Sequence, residues 1–440
     1  MQNKEIMMSQ TAKETIYSAQ FRRSLRESNQ PDWLKSIREE AFGFFVENGF
    51  PTPKNEDWKY TNAALIAGEE FAFGESVLDA ESLDKFTYAE AAESRLVFVD
   101  GVFDEVNSVV PNDLIALTFD KALKDEKFAG IIESNLTKFV PFDFNGFTAL
   151  NTAFTENGLF LFVPKNTKIE APIHLLYVST GNKPSFPRIL VVAESFAEAT
   201  IIESYTRSEE TKYLTNAVIE VFLADEAKLK HFRVQRESHE GFHIGTTAAE
   251  INRGSIYDST NINLGGKLSR HDVRVKFNAE GGEAFVDGLY MLNGNQHHDT
   301  HSVIDHAVPN CNSHQTYKGV LNDKSRGVFN GKVFVRENAS GTDAQQSNKN
   351  LLLSNDARVD TKPQLEIFND DVKCSHGATV GQLEEEELFY LLSRGLNEDL
   401  ARNLLTYGFA EEIVNKIEIE SIKKQLDEAV LNRLNVSLEA

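Results

Sequence analysis

The hydrophobic pattern of the chain changes character twice. Thr11 to Gln30 is rich in Glu, Arg, Ser and Ala and shows no period-two alternation. Pro31 to Asn48 carries Leu34, Ile37, Ala41, Phe44 and Phe45 at spacings near i, i+3 and i+7, the stripe of an amphipathic helix. Gly49, Pro51 and Pro53 end that helix. Asn55-Glu-Asp-Trp-Lys-Tyr-Thr-Asn62 follows as a compact polar–aromatic cluster.

From about residue 95 to about residue 380 the texture is that of short strands. Val273-Arg-Val-Lys-Phe277 alternates cleanly, and Ala217/Ile219/Val221/Leu223 and Phe329/Gly331/Val333/Val335 alternate less strictly. Gly, Asn or Asp bounds each run. Helical signals are nearly absent here, Asp120 to Ser134 excepted. So long a series of short strands exceeds one sandwich, whereas a stacked architecture absorbs it. No strict sequence repeat is visible, and a double sandwich competes with the stack on pattern alone.

Helical texture returns after Gly381. Glu384 to Glu387 place acids in a first helical turn, and Arg394 and Gly395 close it. Asn397 suits an N-cap for a second helix, with Glu398 and Asp399 in its first turn. Leu400, Leu404, Ala410, Ile413, Val414 and Ile417 supply apolar positions, with a split expected at Gly408, and a further helix is expected from Glu420 to Leu434. The apolar face serves as core or as a docking surface, and core is the first reading. The expected division is a helical region over 1–92, a β core over 93–383 and a helical module over 384–440.

Composition narrows the functional classes. Lys and Arg number 45 and Asp and Glu 67, so the net charge is 45 − 67 = −22. Such a surface repels phosphate backbones and argues against a nucleic-acid binder or a polybasic membrane-surface protein. Apolar runs such as Gly158 to Val163 are strand-sized and far from the roughly 18 residues of a membrane span. Two cysteines in 440 residues exclude a disulfide scaffold and a self-contained four-cysteine metal or iron–sulfur site. The N-terminus has no apolar signal-type segment, so the default is a reduced, cytoplasmic protein.

Two clusters could carry chemistry. His297, Asp299 and His301 share one face of a strand, a trio suited to zinc or iron. They match neither His-Glu-x-x-His nor another familiar metal spacing, and the first reading is a set of polar residues hydrogen-bonded to neighbouring strands. Cys374 and His376, spaced i, i+2, also point to one side. They suit a soft metal or a nucleophile–base pair, against a plainer reading as a buried thiol and a hydrogen-bonded histidine. Gly327-Val-Phe-Asn-Gly-Lys-Val333 has the wrong spacing for a phosphate loop, and neither Gly-x-Gly-x-x-Gly nor Gly-x-Ser-x-Gly occurs.

The segment Thr361-Lys-Pro-Gln-Leu-Glu-Ile-Phe-Asn-Asp-Asp-Val-Lys-Cys-Ser-His-Gly-Ala-Thr-Val-Gly381 resembles the signature of the SufB/SufD family of iron–sulfur cluster assembly proteins. The resemblance extends to Ser313-His-Gln-Thr-Tyr-Lys-Gly319, Arg326-Gly-Val-Phe-Asn-Gly331, Leu388-Phe-Tyr-Leu-Leu-Ser-Arg-Gly395, Asn55 to Thr61 and Asn151-Thr-Ala-Phe154. Cys-Ser-His-Gly-Ala-Thr is similar to the SufD branch, where SufB typically has Cys-Glu-His-Glu-Ala-Thr, and the scarcity of cysteine agrees. The resemblance implies a mainly β fold, a right-handed parallel β-helix flanked by N- and C-terminal helices. It implies a non-catalytic scaffold that pairs through its β-helix end with a SufB-like paralogue. A SufC-like ABC-type ATPase is then docked through the C-terminal helices, with Leu400, Leu404 and Ile413 as the candidate anchors.

On the same resemblance, His376, and more weakly Cys374, contribute to a nascent iron–sulfur cluster shared with the partner, and the isolated chain holds no cofactor tightly. A cysteine desulfurase system is connected indirectly, neither nucleic acid nor membrane is a partner, and homodimerisation of the chain alone stays open. The rival reading is an independent β-rich metalloprotein using His297, Asp299 and His301.

Overall fold

The computed structural model describes residues 15–74, 78 and 80–433. Two ten-stranded sheets run along its length, and consecutive strands alternate between them from Arg188–Ala193 to Val372–Gly381. Each strand pairs in parallel with the strand about one coil earlier, as Leu268–Phe277 pairs with Phe242–Ile251 and with His297–His306. This is a parallel β-helix, not a pair of antiparallel sandwiches. Among the described residues, antiparallel pairing occurs only at its N-terminal end, between Arg95–Val99 and Val102–Asp104 and between Ile115–Thr118 and Leu159–Val163.

Alternation decides what enters the lumen, because successive side chains point to opposite faces. Val273, Val275 and Phe277 are buried inward and Lys276 is exposed. Strands near the N-terminal end, such as Leu159–Val163, are buried on both faces because helices cover their outer side. In-register inward positions form columns along the axis. One runs Leu229, Tyr257, Ala284, Ser313, Ala344, Cys374, and the next runs His231, Ser259, Val286, Gln315, Gln346, His376. Two glycines are required by close approach inside the lumen. A Cβ on Gly288 would lie 2.2 Å from the Tyr317 ring, and one on Gly319 would lie 2.3 Å from the Tyr290 ring.

One corner of the coil is turned by a residue at positive φ in each successive layer: Phe196, Glu226, Gly254, Gly281, Asn310 and Gly341. The backbone N–H at each bonds one layer on, as Gly281 does to Asn310 and Gly341 to Asp371. The structural repeat is thus a backbone conformation carried by different residue types, which is why no sequence repeat shows.

The N-terminal helices Ser18–Glu27 and Asp32–Asn48 bury Phe21, Ala41 and Phe45 against Phe154 and Phe186. The part of the first expected helix before Thr15 lies outside the described residues. The expectation of almost no helix between 95 and 380 needs a correction. Phe119–Ala122 and Glu126–Asn135 occupy the one stretch foreseen, but Gly146–Ala153 is a further, wholly buried helix. Asn145 caps it through a reciprocal capping box with Thr148.

At the C-terminus, Glu385–Ser393, Glu398–Val414 and Glu420–Arg433 are helical. Asn397 caps the second, accepting from the Leu400 N–H at 2.8 Å. That helix runs unbroken through Gly408, contrary to the expected split, because i→i−4 bonding tolerates a glycine at a cost of about 1 kcal/mol. Ala410, Ile413, Val414, Ile417, Ile422, Leu426 and Val430 pack on the outer side of Phe232, Val234, Ile262, Leu289 and Met291. Lys416 adds an ion pair to Asp287 at 2.6 Å, and Lys318 donates to the Phe409 carbonyl at 2.9 Å.

Candidate functional site

The two ends of the β-helix are built differently. At the N-terminal end the hairpin strand Val102–Asp104 closes one sheet, and Phe103 packs over Phe98 at a ring separation of 5.4 Å. At the C-terminal end the last strands are Arg358–Ile367 and Val372–Gly381, and no described strand pairs with their outer edges. An uncovered parallel edge is a row of unpaired backbone donors and acceptors, a template for another chain. Ile367, Phe368 and Val380, between 42 and 56% exposed, add apolar surface there beside the charged Lys362, Asp371 and Lys373.

Cys374 and His376 both lie on the terminal strand and, by register above Ala344 and Gln346, both project to the lumen side. Their surroundings differ. Cys374 is half-buried against the inner apolar core, and burial, with Asp343 adding to it, pushes its thiol pKa up. It is a thiol rather than a thiolate at neutral pH, so a weak nucleophile and ligand as it stands. His376 is exposed at the mouth of the lumen. Cys311 is buried, with its Sγ directed to the Ala279 carbonyl, and plays no part in this end.

The docking candidates separate. Leu400 and Leu404 are 42 and 49% exposed, whereas Ile413 is fully buried in the core between helix and solenoid. Ile413 therefore belongs to the interface that holds the module on the β-helix. The pattern missed two stronger surface residues, Phe389 and Tyr390, which are 71 and 56% exposed on Glu385–Ser393, a helix that buries none of its residues. The signal was present in the sequence: an aromatic pair on a short helix with an all-acidic first turn.

The other histidine cluster is brought together, but around a cation. His297, Asp299 and His301 share the outer face of His297–His306. Arg270 is fully buried beside them, 2.9 Å from Asp299 and 2.8 Å from Asp272, and it stacks on Trp58 at 4.1 Å. Thr61 bonds His297 at 2.9 Å and also donates to Asp299. His301 lies 3.2 Å from Asp299. Although burial opposes its charge, His301 and Arg270 hold the Asp299 carboxyl far below its usual range. The group pins Asn55–Thr61 onto the solenoid. The Asp299 carboxylate is already paired with the Arg270 guanidinium, and no group of three or more residues able to hold a metal ion occurs among the described residues.

A capped parallel β-helix with one open end and an appended helical module is the class that fold and site define. Comparison with known proteins agrees. Residues 176–409 match the model of the SUF system FeS cluster assembly SufBD core domain, and residues 11–175 match the SufBD protein N-terminal region. The chain is 38% identical over 395 residues to an iron–sulfur cluster assembly SufBD family protein of Synechocystis, covering 86% of each. It is 30% identical to the iron–sulfur cluster assembly protein SufD of Escherichia coli, covering 88% of this chain and 90% of that one. With SufD of Bacillus subtilis the identity is 28%, over 92% and 95%. The chain belongs to the SufB/SufD family of iron–sulfur cluster assembly proteins.

Proposed function

We propose that this chain is a SufD-type, non-catalytic scaffold subunit of the cytoplasm. Its open end pairs with a SufB-like paralogue, and its C-terminal helices dock a SufC-like ABC-type ATPase. The paralogue supplies most ligands of the nascent cluster, and this chain adds His376, with Cys374 in a lesser role. The cluster is cargo, shared across the interface and passed on.

One observation carries the reading. The β-helix is capped at one end and open at the other, and the exposed lumen-side residues at the open mouth include a histidine, His376. Imidazole can replace one thiolate of a four-ligand cluster site, and two cysteines cannot hold a cluster alone. The bare helix bearing Phe389 and Tyr390, together with Leu400 and Leu404, supports the second contact, since helices offer apolar anchors to a partner's groove. The metalloprotein reading on His297, Asp299 and His301 has no comparable support, since Asp299 is paired with Arg270.

The test is His376→Ala in the complex with both partners. Complex yield by size exclusion should stay near wild type, because interface energy is spread over many contacts. Iron and sulfide after reconstitution should fall several-fold. A mutant complex that forms normally and carries wild-type iron and sulfide would refute the ligand role.

A further inference from the structure

We propose that Gln346 is a positioning residue for His376, holding one ring N–H so that the other ring nitrogen faces the shared site. The inference rests on the ligand reading of His376 and adds the group that orients it.

Gln346 lies directly below His376 in register, on the same lumen-facing side, about 4.8 Å away across one strand spacing. Its side chain is almost fully buried, at 3% exposure. The amide cannot turn freely. Its Nε2 donates to Gln315 Oε1 at 2.7 Å, and the same oxygen accepts from Ser302 at 3.0 Å. A Cβ on Gly331 would stand 2.4 Å from that nitrogen, so the nitrogen end is lodged across the lumen over a glycine. With the nitrogen bonded to Gln315 in the layer below, the amide oxygen is left without that partner. That oxygen is buried and has no hydrogen-bond partner, an arrangement rare enough in folded proteins to call for a reason.

The next layer in register over Gln346 holds His376, whose imidazole always carries at least one N–H. A ligating histidine almost always donates its second ring N–H to a fixed acceptor, which sets the tautomer and the ring plane. Gln346 Oε1 is such an acceptor, pre-oriented by Gln315 and Gly331. Covering the open end turns the exposed ring inward onto it and satisfies both groups together.

The test uses the full complex with Gln346→Met, which keeps length but removes the acceptor, and Gln346→Glu, which keeps an acceptor oxygen. With Gln346→Met, complex yield should match wild type, while retained iron and sulfide fall on the order of tenfold. Gln346→Glu should restore loading to within about twofold, since protonated or ionised it retains an acceptor oxygen. Pulsed EPR of the reduced complex, prepared with [15N]histidine, should show the His376 nitrogen coupling in wild type and Gln346→Glu and its loss or spread in Gln346→Met. Wild-type loading and coupling in Gln346→Met would overturn the proposal, as would equal damage by both variants, which would mark a packing role. Wild-type loading of His376→Ala would instead overturn the ligand reading beneath it.

Discussion

The two ends of the β-helix face the same physical problem and answer it differently. Phe103 lies over Phe98 at the N-terminal end, antiparallel strands take up the sheet edges, and the inner core there is apolar. The C-terminal end leaves both edges free and sets Ile367, Phe368 and Val380 around the mouth. The terminal strands carry edge-blunting features, Pro363 with Lys362 on one and Lys373 on the other, beside these apolar residues. On the proposed function, the open end is the surface that meets the paralogue.

The comparison is broken most severely at the closed end. Phe98→Ala removes a fully buried ring and should cost about 3–5 kcal/mol in denaturant unfolding. The double change Phe368→Asp and Val380→Asp at the open end should leave the isolated chain within about 0.5 kcal/mol. It should weaken pairing with the SufB-type partner by about 2 kcal/mol or more in calorimetric titration. Comparable stability losses at the two ends would remove the distinction.

The C-terminal module divides in the same way into an inner and an outer face. Ile413→Ala, at the face buried on the solenoid, should destabilise the chain by about 2–4 kcal/mol. Leu404→Ala, on the outer face, should change stability by less than about 0.5 kcal/mol and lower only the affinity for the ATPase partner, as read by surface plasmon resonance. Deleting the whole module should expose the apolar outer side of Phe232, Ile262 and Met291 and lead to aggregation, so the point variants are the cleaner probes.

The smallest effect sharpens the contrast between closed lumen and open mouth through pH. Burial lowers His298 to about 3 and His174 to about 3. Their folded-state values lie below the unfolded value near 6.5, so the unfolded chain binds more protons in the window between. Stability should therefore fall as pH drops below about 6.5, by ~1 kcal/mol for each such histidine at pH 5.5. His298→Gln, which keeps polar groups for Ser269 and Thr300 but does not titrate, should flatten that slope in thermal melts between pH 7 and 5.5.

Much of the fold was legible in the chain because its signals are local. Alternation in Val273 to Phe277, the cap at Asn397 and the acidic first turn after Gln382 each reflect physics acting over a few residues. The helix Gly146–Ala153 was not legible, since a short, wholly buried helix shows no amphipathic stripe; only the capping pair Asn145 and Thr148 announced it. Of the candidate site, the parity of Cys374 and His376 followed from their spacing, but their unequal exposure did not.

The sequence by itself determined the three textures, the inward parity of each strand, the caps, and the motif that marks the family. Tertiary structure decided the rest: which end stays open, that Gln346 lies beneath His376, that Ile413 is core while Leu404 is surface, and that Arg270 pairs with Asp299 of the His297–His301 group. The physical reason is the distance along the chain between spatial neighbours. In this coil, register partners such as Gln346 and His376 are a whole turn apart. No short-range pattern specifies which residues one turn away will stack, because the left-handed corners that set the coil length are made by Phe, Glu, Asn and Gly alike.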